Sequence, residues 1–264
     1  MVPIHKTRTG VRPLSSPASP SDFMATLDTK IDGSIYHGAS ASLSVNNMPF
    51  KGKYTKSQIW VENGPPQELN SIQFGWAIHP ELYGDTMSRF TIYWTGDGYG
   101  KTGCYNTICT GFVQDFSDLY PGKAYDPVST YGGNQVVANL SLTQDRTTGH
   151  WWVANRGASV GYFPKELFTH LQKGANFVRY GAISSDSGDG FGAPMGNGRF
   201  PTDDLSKSAY FSSIQLVGSD FNNAPVNGEN MNVNAKDQKC FQLNYRSVGP
   251  SFTYGGPGGS CPHG

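Results

Sequence analysis

Hydrophobic and polar residues alternate along the stretch "NSIQFGWAIHPELYGD", which runs from Asn70 to Asp85. Successive side chains of a β-strand point to opposite faces, so this alternation predicts a strand with one buried face. The predicted buried face carries Ile72, Phe74, Trp76 and Ile78, and the other face carries Ser71, Gln73, Gly75, Ala77 and His79. The Gln73 amide stands alone among small residues, which makes it a candidate for chemistry.

Segments of the same kind recur along the chain between turns, which is typical of an all-β protein. They include "SQIWVENG" (57–64), "SRFTIYWT" (88–95), "NQVVANLSLTQD" (134–145), "HWWVANRGASVGYF" (150–163), "NFVRYGAIS" (176–184) and "SAYFSSIQLVG" (208–218). One short helix is predicted over "PKELFTHLQKGA" (164–175), because apolar residues recur there at helical spacing and a glycine follows. The most economical fold is an antiparallel β-sandwich of two packed sheets.

The chain divides into two regions by composition. Residues 1–33 are polar and rich in proline and serine, which indicates an extended arm or linker. Residues 34–264 are predicted to form one β-sandwich domain.

Charge gives no reason to expect a nucleic acid or a membrane surface as a partner, since 20 Lys and Arg balance 20 Asp and Glu. No stretch approaches the roughly 20 apolar residues of a membrane span. Glutamate is scarce. The chain has only Glu62, Glu68, Glu81, Glu166 and Glu229.

Four cysteines form two local pairs, Cys104 with Cys109 and Cys240 with Cys261. An even count with near neighbours favours two disulfides and an oxidising compartment, while four reduced thiols remain the alternative. The spacing fits no zinc motif, so neither a metal nor another cofactor is predicted. The sequon that begins at Asn139 is compatible with glycosylation and secretion.

The G-x-S-x-G pattern occurs once, as "GASVG" (157–161), but it lies within a predicted strand segment and not at a strand-to-helix turn, so it predicts no nucleophile elbow. The sequence contains no H-E-x-x-H zinc motif. Aromatic rings offer another surface for ligands. Trp60, Tyr93 and Trp151 share strand parity with polar neighbours, so they either line a groove or pack beneath loops.

Several motifs occur in an order that resembles the neprosin domain of plant proteins. They are "SQIWVENG", "IQFGWAIHPELYGD", "TGCYNTICTGFVQ", "VGYFPKELFTHL", "MGNGRFP" and "FTYGGPGG", and the resemblance runs from about Ser34 to Cys261. The opening "VPIHKTR" resembles the stretch that joins the family's propeptide to its catalytic domain, so the propeptide is an expected partner of the precursor. The resemblance implies a secreted β-sandwich with a cleft on one sheet.

The resemblance also implies the family's activity, which is that of a glutamic endopeptidase that cleaves after proline under acid conditions. Two glutamates act across the cleft as general acid and base, without a metal or covalent intermediate. The first lies in a pattern I-E-A-G-W, which matches "IQFGW" and maps to Gln73. The second lies in a pattern W-G-G-E-V, which matches "YGAIS" and maps to Ile183 or Ala182. Both mapped glutamates are therefore replaced.

Another glutamic peptidase family, the eqolisins, works with a Gln paired with a Glu. An amide at position 73 is therefore compatible with peptidase activity if an acid lies nearby. Glu62 is the candidate substitute for the missing acid, with Asp186 and Asp189 as further possibilities. We expect Gln73 to face residues 181–184 across a groove. The rings considered for substrate contact are Trp60, Trp76, Tyr93, Trp151 and Tyr180.

Two hypotheses follow. The chain is either an extracellular peptidase with weak, rearranged or absent activity, or a non-catalytic module that binds peptide or cell-wall polysaccharide. A carboxylate within reach of the Gln73 amide would favour the first.

Overall fold

A computed structural model describes residues 22–115, 118–187, 190–235, 239–246, 249 and 251–261 of the chain. Its strands are β1 (Phe23–Thr29), β2 (Gly38–Ser44), β3 (Thr55–Asn63), β4 (Asn70–Ile78), β5 (Arg89–Thr95), β6 (Cys104–Tyr105), β7 (Val113–Gln114), β8 (Val137–Gln144), β9 (Trp151–Asn155), β10 (Ala158–Phe163), β11 (Phe177–Ser184), β12 (Phe191–Gly192), β13 (Ala209–Val217), β14 (Asn223–Pro225), β15 (Met231–Ala235), β16 (Gln242–Arg246), β17 (Ser251–Gly255) and β18 (Gly259–Ser260). Short 3₁₀ helices cover Pro66–Glu68, Lys165–Leu167, Leu171–Lys173 and Gly228–Asn230, and α1 covers Pro80–Tyr83.

The strands form two large antiparallel sheets. The first has seven strands in the order β15-β1-β11-β3-β4-β5-β6. The second follows the order β16-β17-β13-β2-β8-β9-β10-β7, with β14 paired to β13. β12 and β18 form a separate two-stranded ladder. The predicted all-β sandwich is confirmed.

One hydrophobic core lies between the sheets. The first sheet contributes the alternate residues of its central strands, among them Ile59, Val61, Ile72, Phe74 and Trp76, and all of these are fully buried. The second sheet contributes Leu140, Leu142, Val153 and Phe211. The Trp76 indole N–H donates to the Ser44 carbonyl at 2.9 Å, which satisfies its polar atom inside the core. The predicted buried face of Asn70–Ile78 is confirmed.

Two predictions about local structure are wrong. Phe23–Thr29 was assigned to an arm, but it is a buried strand between β11 and β15, and its apolar positions complete the core. Residues 1–21 of the predicted arm lie outside the described residues. The helix expected over 164–175 is replaced by two 3₁₀ turns, because Phe168 between them is extended, with φ −123° and ψ 143°. Asn70 Oδ1 then accepts from the backbone N–H of His170 at 2.5 Å and of Leu171 at 3.1 Å.

Both predicted disulfides are present. Cys104 and Cys109 are joined across five residues with an S–S distance of 2.08 Å. Cys240 and Cys261 are joined across 21 residues at 2.11 Å, and both are buried in the core. Within the described part of the chain, no helix is long and apolar enough to cross a membrane.

The two disulfides are expected to contribute unequally to stability. Loop-closure entropy assigns about 3 kcal/mol to the Cys240–Cys261 loop and about 2 kcal/mol to the shorter Cys104–Cys109 loop. Replacing the first pair by alanine also opens space in the core, so urea unfolding should show the larger loss for that variant. An equal or smaller loss than for the Cys104→Ala/Cys109→Ala control would contradict this assignment.

Candidate functional site

The face of the seven-stranded sheet that points away from the core carries the candidate site, and we call it the polar face. Antiparallel pairing sets Gln73 of β4 opposite Trp60 of β3 on one side and Tyr93 of β5 on the other. The next pair toward the start of β4 is Ser71 with Glu62. Neighbouring strands are about 4.8 Å apart, so these five side chains are brought together by register alone.

The Gln73 side chain is only 2% exposed and is held by hydrogen bonds at both ends. Its carbonyl oxygen accepts from Gln58 Nε2 at 2.7 Å. Its amide nitrogen donates to Ser71 Oγ at 3.3 Å and to the Tyr99 hydroxyl at 3.0 Å. The Ser71 and Tyr99 hydroxyls both donate to Glu62, so they can only accept from the amide. The N–H₂ group of Gln73 therefore points toward Glu62.

Glu62 is joined to the Gln73 amide through two hydroxyl groups. Ser71 Oγ donates to Glu62 Oε1 at 2.8 Å, and the Tyr99 hydroxyl donates to the same oxygen at 3.5 Å. Both contacts of the carboxylate with described residues therefore fall on Oε1. Burial raises the pKa of Glu62, and the hydrogen bond from Ser71 opposes that shift. A carboxylate does lie within one bridging group of Gln73.

Glycine beside Gln73 has a steric role. A Cβ atom on Gly75 would lie 2.0 Å from the Ser57 carbonyl oxygen and 2.6 Å from Gln58 Cβ. Any larger residue would therefore displace β3 and the Gln58 side chain that holds Gln73 Oε1. This close approach explains why glycine is the residue that follows Gln73 on the same face of β4.

Tyr99, in the glycine-rich hairpin between β5 and β6, covers Gln73 and Glu62. The backbone of Tyr99 has φ 66°, a left-handed conformation that is unfavourable for a residue with a side chain. The hairpin holds it there, since Tyr99 N–H donates to Thr95 Oγ1 at 3.0 Å and Asp97 Oδ2 accepts from Lys101 N–H at 2.7 Å. The Tyr99 ring stacks on Tyr93, with centroids 6.0 Å apart. Burial raises the pKa of Tyr99, so its hydroxyl stays protonated and can donate.

The second mapped position does not meet Gln73. Ile183 is on the polar face, opposite Lys56, whereas Ala182 points into the core. The residue of β11 that is level with Gln73 is Arg179, which lies four residues before Ile183 on that strand. That offset is about 13 Å along the sheet. The expectation that Gln73 faces residues 181–184 across a groove is wrong, because both segments belong to one sheet.

The five candidate rings separate by strand parity. Trp60 and Tyr93 are on the polar face beside Gln73, although only 3% and 4% of their surfaces are exposed. Trp76, Trp151 and Tyr180 are fully buried core residues. Their polar atoms bond to backbone carbonyl groups, as in the 3.1 Å bond from Trp151 Nε1 to Leu171 and the 2.7 Å bond from the Tyr180 hydroxyl to Gln215. Assigning these three rings to substrate contact was wrong.

A buried basic cluster occupies the other end of the polar face. Lys56 Nζ donates to the Tyr105 hydroxyl at 2.5 Å and lies 4.3 Å from the centre of the Tyr54 ring. Burial lowers the pKa of Lys56 to about 7. Burial first, and then the positive charge of Lys56, lowers the pKa of His79 to about 4.

The remaining acidic candidates do not join the site. Asp186 follows the end of β11, where its Oδ1 accepts from Gly190 N–H at 3.1 Å, and Asp189 lies outside the described residues. No group of three or more His, Cys, Asp or Glu residues suited to a metal occurs among the residues with described positions.

Sequence reasoning named Gln73 and Glu62 but missed the residues that connect them. Ser71 and Gln58 share strand parity with the pair, and this signal could have identified both. Tyr99 belongs to the turn "TGDGYG", where an aromatic residue between two glycines is the only sequence signal. No local pattern states that this turn folds back over β4.

Comparison with known proteins gives one family match over most of the chain. Residues 51–257 match the family model described as Neprosin. Among solved structures, the chain is similar to scytalido-glutamic peptidase with a transition state analog inhibitor, at 12% identity and TM-score 0.48, over 89% of this chain and 98% of that one. It is also similar to CG-16, a homodimeric agglutinin from chicken liver, at 8% identity and TM-score 0.33, over 61% of this chain and 96% of that one.

Burial of Glu62 predicts a pH-dependent effect of Glu62→Gln on stability. A carboxyl whose pKa is raised by folding costs stability when ionised, above that pKa, and costs nothing below the pKa of the unfolded chain. The variant should therefore raise the melting temperature near pH ~7 and leave it unchanged near pH ~3. Thermal unfolding at both pH values measures this, with the exposed Glu166→Gln as control. A variant that is less stable at the higher pH would contradict the proposed cost of the buried charge.

Proposed function

The chain belongs to the Neprosin family, and we propose that it is a peptidase-like hydrolase whose reacting pair is Gln73 with Glu62. The observation that carries the proposal is the hydroxyl-bridged contact between the Gln73 amide and Glu62 Oε1. An amide and an acid are thereby held on adjacent strands, where one can stabilise an oxyanion and the other can accept a proton.

Each residue has a role in the proposed reaction. The ionised Glu62 takes a proton from a water molecule, and the resulting hydroxide attacks the peptide carbonyl carbon. The carbonyl oxygen becomes negative and accepts a hydrogen bond from Gln73 Nε2. Protonated Glu62 then returns the proton to the leaving nitrogen, so one water is consumed for each peptide bond broken. No covalent intermediate is needed.

Substrate can reach this pair only after the Tyr99 hairpin moves, because Gln73 is 2% exposed and Glu62 is 8% exposed. The Tyr99 hydroxyl occupies the position on the Gln73 amide that a substrate carbonyl would take. Trp60 and Tyr93 flank that position, and their rings suit contact with a proline side chain. We therefore propose peptides that contain proline as the substrate class.

Cleavage of a proline-containing peptide tests the proposal. Mass spectrometry after digestion between about pH 3 and pH 7 should detect products from the wild-type chain. Gln73→Ala should reduce kcat by about 10²–10³-fold, as expected when one oxyanion donor is removed. Glu62→Gln should abolish turnover, and Glu166→Gln is the matched control on the surface. Undiminished cleavage by Glu62→Gln would exclude Glu62 as the base.

A specific observation favours a second candidate, a non-catalytic binding module. The Gln73 amide is fully bonded within the protein and covered by Tyr99, so the site is closed as it stands. In that reading the wild-type chain binds a proline-rich peptide or a cell-wall polysaccharide in calorimetry and cleaves neither. Peptide cleavage that arises only in Gln73→Glu, which restores the first mapped glutamate next to Glu62, would assign the wild-type chain to this class.

We also propose that the chain is secreted and carries a glycan on Asn139. Two disulfides support an oxidising compartment. Asn139 is exposed on β8, on the outer side of the second sheet, where its Oδ1 accepts from Ser42 Oγ at 2.7 Å. No residue of the described part of the chain buries the amide, so the position has room for a sugar.

Expression in a secretory eukaryotic host tests the glycan. The protein should lose mass on treatment with peptide N-glycosidase, and both Asn139→Gln and Ser141→Ala should remove that response. Thr143→Ala is the control, since it is exposed on the same strand outside the sequon. A wild-type protein of unmodified mass would refute the assignment.

A further inference from the structure

An ion pair lies on the polar face next to Glu62, on the side away from Gln73. Asp28 of β1 and Arg179 of β11 are register partners. Arg179 Nε donates to Asp28 Oδ1 at 2.8 Å and Nη2 donates to Oδ2 at 2.7 Å. A two-point contact of this kind fixes the plane of the guanidinium as well as its position.

The guanidinium of Arg179 also contacts two aromatic rings. Its central carbon lies 5.1 Å from the centre of the Phe177 ring and 6.0 Å from that of Trp60. Phe177 is the register partner of Glu62, and Arg179 is the partner of Trp60, so Arg179 and Glu62 are diagonal neighbours on adjacent strands. Diagonal neighbours are about 7–8 Å apart, which is near enough for a buried charge to act.

We propose that the Asp28–Arg179 ion pair is a positioning pair whose field favours the ionised form of the buried Glu62 carboxylate. The pair has no net charge, but its two ends lie at different distances from Glu62. Arg179 is on the strand next to β3, whereas Asp28 is one strand further away. The positive end is therefore the nearer one, and the field at Glu62 favours its negative charge.

The charged and titratable groups around Glu62 come from three elements. Arg179 faces it from β11 and lowers its pKa, whereas Asp28 faces it from β1 and raises it. Tyr99 faces it from the β5–β6 hairpin and, as a hydrogen-bond donor, lowers the pKa. Burial remains the largest influence and raises the pKa, so Arg179 offsets part of the cost of burying Glu62.

The consequence for the proposed reaction is a wider pH range. Glu62 can act as a base only when it is ionised. Each unit by which its pKa falls lets Glu62 stay ionised at a pH one unit lower, which is a tenfold higher proton concentration. This part of the inference rests on the proposed function. The effect on the charge of Glu62 does not, because it is a property of the folded protein.

Carbon-13 NMR of the glutamate carboxyl groups measures the charge directly. The chain has only five glutamates, and the Glu62 signal is identified by its loss in Glu62→Gln. Arg179→Met should move the titration midpoint of Glu62 to higher pH, and Asp28→Asn should move it to lower pH. The matched control is Arg89→Met, which removes another ion pair of the same sheet, with Asp85.

The double variant Arg179→Met/Asp28→Asn guards against a single variant that fails to fold, since it removes both charges of the ion pair and leaves neither partner unpaired. Its Glu62 midpoint should lie above that of the wild-type chain, because the nearer end of the pair dominates. An unchanged midpoint in the double variant overturns the inference, as do shifts of the same sign in the two single variants.

The same variants separate this inference from the proposed function. If peptides are cleaved, the acid limb of kcat/KM should move with the NMR midpoint in each variant. If the midpoints shift as expected and no peptide is cleaved by any variant, the ion pair has the stated role and the proposed hydrolysis fails. If peptides are cleaved and the midpoints do not shift, the proposed hydrolysis stands and the role assigned to the ion pair fails.

Discussion

The antiparallel pairing of β3 with β4 sets the geometry of the whole candidate site. It places Glu62 opposite Ser71 and Trp60 opposite Gln73. The hydrogen bonds from Gln58 to Gln73 and from Ser71 to Glu62 both cross this one pair of strands. A register shift by a single residue would send all of these side chains into the core and the apolar residues out to the surface. Burial of the apolar face of the two strands therefore fixes their register, and the register fixes the positions of Gln73 and Glu62.

Burial then decides what that geometry can do. Water would hydrate Gln73 and Glu62 if the sheet face were open, and the pKa of Glu62 would then lie near its ordinary value. The Tyr99 hairpin instead covers them, so the Glu62 charge is costly and every polar atom nearby acts on it more strongly. The same cover blocks access to Gln73. A rearranged peptidase and a closed binding site thus share one structure and differ in whether the hairpin moves.

Period-two patterning was sufficient to predict the fold class and the two faces of β4. The resemblance to the neprosin domain, and not the patterning, assigned Gln73 to a catalytic position, and Glu62 became its candidate partner because the sequence contains so few glutamates. Trp76 and Tyr180 were wrongly assigned to substrate contact because ring chemistry was given more weight than strand parity, and the parity of Trp151 itself was misjudged. Patterning also failed for Phe23–Thr29, a central strand preceded by a proline-rich stretch. Tyr99 was beyond prediction, since its position depends on how a hairpin folds back over a distant strand.

The account depends most on Glu62 being the group that accepts the proton. The most direct measurement compares, in one buffer series, the acid limb of peptide cleavage with the carboxyl titration of Glu62 observed by NMR. The account predicts that the two midpoints coincide. An acid limb at a clearly different pH from the Glu62 midpoint would contradict it.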